Sequence, residues 1–427
     1  MLVLRGWSSA AWCFAAAMQC IWGLALPSNA PCTTKFDCSY NGECVSGKCV
    51  CIPQFQGQAC DQFRFAPLDT RKGEGLRTIL QPGSIQVSSW GGSVLLDDDG
   101  MMHMWAAEMT QSTGIKAWLT NSQVVHAVAN VSSRSHDFQR QETVWSVFAH
   151  EPTVSRAPTG EYVMYFTTNY GDKPGSQCDL PCKCGINGTS CLKCKNDQQC
   201  TNHDSPLSTR MSYSHSPWGP WSKPVLVPAP TSGDTNLACV IRKNHSLVCL
   251  GRPGIGSLHA NHWRNLSSYT WFPMRGNVIG EDPMVWFDSN DHEILHAVTH
   301  GGGWGDPFGY HYVSQDGGYS WGSPTSNKVY ENIVQVNGGG NIDKKILSRR
   351  ERPHVVLDAS GGLLALTNGV TEAWPCTLVD TPVPDRPNCT EPVPPGTLPS
   401  CGPGSNGTAI WCPVDYSYTM WQPFAMK

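Results

Sequence analysis

The chain has 427 residues, 40% of them hydrophobic and 10% aromatic, enough to bury the core of one large domain or two ordinary ones and too apolar for a disordered chain. Its formal net charge of -4 and pI near 6.4 give no electrostatic reason to bind nucleic acid or an anionic membrane, so a neutral partner is expected.

Residues 1–30 read as a secretory signal, with Arg5 early, an apolar run from Trp12 to Leu26 and small residues around Ala25 and Ala30. The alternative is an uncleaved signal anchor, because the run is close to spanning length. No second span and no C-terminal anchor signal follow, so a secreted or lumenal protein without membrane insertion after cleavage is expected. Cys13 and Cys20 fall in the signal and leave eighteen of twenty cysteines, an even number suited to an oxidising compartment. Six acceptor sequons, at Asn130, Asn187, Asn244, Asn265, Asn388 and Asn406, fit a glycoprotein.

Residues 31–61 hold Cys32, Cys38, Cys44, Cys49, Cys51 and Cys60 in about thirty residues with almost no apolar core, so disulfides must hold this piece together. The ending Cys49-Val50-Cys51, with Phe55-Gln56-Gly57 before Cys60, resembles the epidermal-growth-factor (EGF)-like domain. That resemblance implies pairing of first with third, second with fourth and fifth with sixth cysteines. The acidic entry of calcium-binding members is absent before Cys32. Such a module serves as a structural cap or as a unit that docks a protein.

From residue 62 to 427 the pattern is all-β. Apolar runs such as Val94 to Leu96 and Met102 to Ala107, or Val285 to Phe287 and Ile294 to Val298, flank turns rich in Asp, Asn, Ser and Gly. A small residue or Pro followed two positions later by Val recurs five times, at Gly92/Val94, Pro152/Val154, Ala238/Val240, Pro283/Val285 and Pro353/Val355. The valine spacings of 60, 86, 45 and 70 residues leave room for three or four short strands per repeat, as in a five-bladed β-propeller. Ser314 to Trp321 matches an Asp box, a hairpin motif that supports a blade there. A sialidase would need three arginines around a carboxylate; Arg156, Arg252 and Arg352 qualify by type alone, and that reading is set aside.

Two insertions interrupt the repeats. Residues 172–204 carry six cysteines, for which disulfides outrank zinc in an oxidising compartment. The Pro- and Cys-rich segment 375–412 forms a second stapled loop with Cys376, Cys389, Cys401 and Cys412. Cys239 and Cys249, symmetric about Asn244, are expected to bridge across a hairpin. The strand ending at Trp421, or the one near residues 84–88, should close the ring.

The residues before each repeated phrase should gather at the channel mouth, since first strands of blades border the central channel. They are Trp90-Gly91, His150-Glu151, Asn236-Leu237, Glu281-Asp282 and Glu351-Arg352. Carboxylates crowded together out of water are pushed to different pKa values, giving one acid and one base at neutral pH. Glu281 or Glu351 is the expected proton donor and Asp282 or Glu151 the base or nucleophile. Trp90, His150, Asn236, Arg352, His300 and Trp304 are the expected substrate-binding residues. His103, Glu108, Asn121 and His126 could line the same funnel.

These blade openings resemble the five-bladed propeller glycosidases, the superfamily of family-43 and invertase-like enzymes. The resemblance implies a secreted glycoside hydrolase-like protein acting on an oligo- or polysaccharide at the channel. In that family carboxylates stand on the first and third blades, where this chain has Trp90-Gly91-Gly92 and Asn236-Leu237-Ala238. A non-catalytic carbohydrate-binding or adhesion protein of the same fold is therefore the second expectation. No cofactor is required, although a channel calcium would suit the carboxylates.

Overall fold

A computed structural model describes residues 31–79, 86–110, 114–115, 118–131, 135–169, 207–230, 233–252, 254–301, 307–372 and 417–426. The signal segment, the 172–204 insertion, the 375–412 loop and Trp304 lie outside them.

The described chain is all-β, and its main body is a five-bladed propeller. Blade 1 runs outward from Ser89–Leu96 through Met101–Met109 and Ser122–Asn130 to Gln139–Trp145. Blade 2 is Ala149–Arg156, Tyr162–Asn169, Leu207–Ser214 and Val225–Leu226, and blade 3 is Ala238–Ile241, Leu247–Leu250, Ser257–Ala260 and Thr270–Phe272. Blade 4 pairs Glu281–Phe287, Leu295–His300 and Gly309–Ser314, with Ser320–Trp321 of the Asp box joined to it through the Val313–Gly322 bridge. Blade 5 centres on Ile342–Leu357, Leu363–Glu372 and Tyr418–Pro423.

The last blade takes its fourth strand from the start of the chain: Gly75–Leu76 pairs antiparallel with Thr419 and Met420. Ring closure therefore uses a strand earlier than the two expected. Gln86–Val87 pairs instead with Thr78–Ile79, and Trp421 lies on the third strand of the blade. Side chains seal the seam, with Thr419 Oγ1 donating to the Gly91 carbonyl at 2.7 Å and Ser417 Oγ to that of Ser89 at 2.8 Å.

The core is divided among the seams between blades. Trp105, Val154 and Met164 fill the seam of blades 1 and 2; Tyr165, Leu237 and Cys249 that of blades 2 and 3; Leu250, Val285 and Tyr312 that of blades 3 and 4. Val94, Met104 and Trp421 fill the seam of blades 5 and 1. Val94, Val154 and Val285 of the recurring phrase are buried in these seams and Val355 between blades 4 and 5, each contributing on the order of 1.5–3 kcal/mol, while Val240 is partly buried. The phrase recurs because each blade presents its inner strand to the same kind of seam. Cys239 and Cys249 stand opposite one another and are bridged.

The small N-terminal module is tied by Cys32–Cys44, Cys38–Cys49 and Cys51–Cys60, the pairing that the resemblance implied. It is built into the propeller: Cys38, Phe55, Cys60 and Phe63 share one apolar cluster with Trp286 and Val298 of blade 4 and Val355 and Leu366 of blade 5. Buried Asp61 accepts hydrogen bonds from Thr325 and, at 2.7 Å, from Asn327. Removing these bonds from a dry interface should cost about 1–3 kcal/mol. Asp61→Ala is thus expected to lower the melting temperature while both disulfide content and blade structure persist, checked by calorimetry and circular dichroism; an unchanged melt would mean that the module adds no stability through this contact.

Candidate active site

The inner strand of four blades carries the same β-bulge near its start. In blade 2 His150 pairs with Thr167 and Thr153 with Tyr165, so Glu151 and Pro152 stand opposite a single residue. Registers shift identically at Gly91-Gly92, Asp282-Pro283 and Arg352-Pro353. The first residue of each bulge is left-handed: Gly91 at φ 58°, Glu151 at 57°, Asp282 at 53° and Arg352 at 51°. In blade 3 Asn236 takes the same conformation, φ 48°, just before its strand begins. Left-handed backbone is easy for glycine, tolerated by Asn and Asp, and costs about 1–3 kcal/mol for other residues. The bulge re-aims each side chain toward the channel, and charged residues stand where glycine would be easiest. Gly91 is needed for a second reason, since a Cβ there would come within 2.9 Å of the Arg352 Cβ. At this bulge the first blade has glycine in place of a carboxylate, and the side chain of Arg352 from blade 5 lies against it.

Arg352 is the hub. Its Nη1 lies 2.7 Å from Glu151 Oε2 and 3.0 Å from Asp282 Oδ1, so these two oxygens are at most 5.7 Å apart. Asp282 also accepts from Asn236 Nδ2, and its Oδ2 lies 3.2 Å from His300 Nδ1. Three donors outweigh the cost of burial and hold the Asp282 carboxyl well below the usual carboxylate range. In turn Asp282, against the opposing effect of burial, raises His300 to about 9. Ligand atoms of Asp282, His300 and Glu351 lie within 4.8 Å of one another. This trio is where the channel could hold a cation, and a protonated His300 competes with one.

Glu151 has a second acidic neighbour. Burial, then the charge of Glu151 and a hydrogen bond to it, push Asp234 up to about 7. Burial, opposed by Arg352 and reinforced by Asp282, moves Glu151 to about 7 as well. The two carboxyls share a proton near neutrality. Asp234 is positioned by Thr167 Oγ1 at 2.7 Å and by the backbone N–H of Asn236 at 3.0 Å. Glu281, half-buried at the edge of the network, is raised by burial and then by Asp282.

The remaining residues divide by position. His150 is buried beneath Trp118, ring centroids 4.8 Å apart, with Nδ1 2.6 Å from Ser122 Oγ and Nε2 3.4 Å from Glu151; burial and then Arg352 push it down to about 3. Neutral at working pH, it is a fixed hydrogen-bonding group. Trp90 lies in an apolar cluster with Ala107, Met109 and Ile115 and presses on Gly369, where a Cβ would meet its ring at 2.5 Å, so its face is covered. His103 and His126 are buried within blade 1 and bond ring to ring at 2.9 Å beside Asp99. Glu108 is held by Arg140 at 2.9 Å. Asp234 is the member that the repeat alignment passed over, because it lies two residues before the left-handed Asn236, outside the pair that precedes the phrase in each blade.

Residues 35–63 match the family described as the teneurin-like EGF domain. This segment is an EGF-like domain. No curated protein sequence matches the chain. Among solved structures, the α-L-arabinofuranosidase of Podospora anserina in complex with cellotriose is 9% identical, TM-score 0.47, covering 84% of this chain and 96% of that one. A family 117 glycoside hydrolase of Zobellia galactanivorans is 10% identical, TM-score 0.43, with 87% and 90% covered. The α-L-arabinofuranosidase of Fusarium graminearum is 11% identical, TM-score 0.35, with 52% of this chain covered; the chain spans only 55% of that enzyme.

Proposed function

We propose that the protein is a secreted glycoside hydrolase-like protein that acts on an oligo- or polysaccharide at the mouth of the propeller channel. The observation that carries the reading is the coexistence, in one cluster, of carboxyls pushed in opposite directions: Asp282 held well below the usual carboxylate range, Glu151 and Asp234 raised to about 7, and Glu281 raised by burial and by Asp282. Glu281, the more accessible acid, gives its proton to the leaving oxygen as the glycosidic C–O bond breaks. Glu151, its proton exchanged with Asp234, takes up the attack at the anomeric carbon, through water or directly. Asp282 is saturated by Arg352, Asn236 and His300 and acts as a positioning residue. Buried Glu351 belongs to the same supporting layer. The disulfide framework suits an extracellular site of action.

One observation favours a second reading, a non-catalytic carbohydrate-binding protein: Arg352 stands between Glu151 and Asp282, neutralising both. Incubating the purified chain with a panel of neutral oligosaccharides, with products resolved by chromatography, separates the two. Cleavage that survives both Glu281→Gln and Glu151→Gln would sink the site assignment. Saturable binding with no product would favour the second reading.

A further inference from the structure

Where the EGF-like domain leans on the seam of blades 4 and 5, there is a cleft of about 600 Å³. Its floor includes Arg350, 1% exposed. The guanidinium donates from Nε to Asn368 Oδ1 at 3.0 Å, from Nη1 to the Glu331 carbonyl at 2.7 Å and from Nη2 to Gln422 Oε1 at 2.6 Å. It also lies over the rings of Tyr330 and Phe65, at 4.5 and 5.1 Å. All of these partners are neutral, and no carboxylate pairs with it among the described residues. Burial pushes it down to about 10, so it stays charged at neutral pH. A guanidinium carries five N–H groups; three are used here, and one on each Nη remains. A buried charge without a counter-charge is costly, and this one faces a cavity.

The rim has the same sign. Arg64 and Lys328, both exposed, stand against a single carboxylate, Glu331. The side-chain amides of Gln56, Gln62 and Gln335 complete the opening, each a donor and acceptor together, as hydroxyl groups require. The volume falls in the range of small-ligand sites. The wall separates the cleft from the channel by one layer, since Asn368, which accepts from Arg350, donates to the Glu351 carbonyl at 3.2 Å.

We propose that this cleft is a second binding site, for an acidic sugar, whose carboxylate or sulfate takes the two remaining N–H groups of Arg350 while its hydroxyls meet the glutamine amides. The site owes nothing to catalysis in the channel and stands or falls separately from it. Calorimetric titration of the full chain with trigalacturonate, neutral maltotriose and inorganic sulfate tests it. Trigalacturonate is expected to bind with one-to-one stoichiometry, and maltotriose at least about tenfold more weakly, the scale of one charge-assisted contact. The double variant Arg64→Ser, Lys328→Ser, exposed enough to leave the fold intact, should weaken trigalacturonate by about tenfold or more, and Glu281→Gln should leave it unchanged. No binding of trigalacturonate, equal affinity for maltotriose, an unaffected double variant, or loss of binding in Glu281→Gln would each overturn the proposal. Sulfate binding as tightly as the trisaccharide would assign the cleft to an anion alone and overturn its sugar part.

Discussion

Arg352→Met is expected to lose about 3–5 kcal/mol of stability at pH 7, the scale measured when one member of a buried ion pair is removed. The arginine is 8% exposed and bridges Glu151 Oε2 and Asp282 Oδ1. Without it, two largely buried carboxyls, with oxygens no more than 5.7 Å apart, lose their shared counter-charge. The pH dependence supplies a sign. In the native protein Asp282 is depressed below its ordinary value, so its contribution is present above the unfolded pKa of about 3.9 and is lost as pH falls toward the folded one. In the Met variant Glu151 and Asp234 lose the charge that opposes their rise, so the folded state takes up protons more readily than the unfolded chain and gains stability on acidification. The difference between native and variant proteins should therefore shrink from pH 7 to pH 4.5 in urea unfolding. A gap that stays constant would show that Arg352 contributes packing and not charge.

Much of this architecture can be read from the amino-acid sequence because the propeller repeats one physical problem five times. Four of the five inner strands bulge at their start and then bury a valine in a seam, and the bulge leaves its mark as Pro or Gly two places before that valine; in the third blade Ala238 takes that place, the strand pairs without a bulge and Val240 is only partly buried. What the repeat cannot reveal is which preceding residue turns left-handed. In four blades it is the neighbour of the Pro or Gly, but in the third it is Asn236, one step earlier, and Asp234 lies two residues further back, beyond the pair that the repeat marks. The closing strand escaped notice for a different reason: Gly75–Leu76 is two residues long, too short for any alternation to register. The seating of the EGF-like domain depends on Phe55, Phe63 and Phe424 meeting across most of the chain's length, a contact that no local pattern encodes. Trp90 could be read as a sugar platform while its surroundings were unknown; Gly369, by lacking a side chain, admits its ring into the core instead.

Glu281→Gln should reduce cleavage of an unactivated oligosaccharide by about 10²–10⁴-fold, the range for loss of a general acid. Its burial and the nearby Asp282 charge raise the carboxyl, keeping a proton available at a pH where an ordinary glutamate has lost its own. The amide cannot supply that proton. An aryl leaving group of low pKa departs without one, so the same variant should retain most of its rate on a nitrophenyl glycoside. Glu151→Gln should behave in the opposite way and lose both activities equally, because attack at the anomeric carbon is needed whatever the leaving group. The pH profile provides a third reading. The Glu151 and Asp234 pair near 7 should set the acid limb of the rate, and Asp234→Asn, which cannot share a proton with Glu151, should shift that limb without abolishing turnover. Equal losses on both substrates in Glu281→Gln would remove it from the role of proton donor and leave Glu351, 3% exposed behind Asp282 and His300, as the acid to examine next.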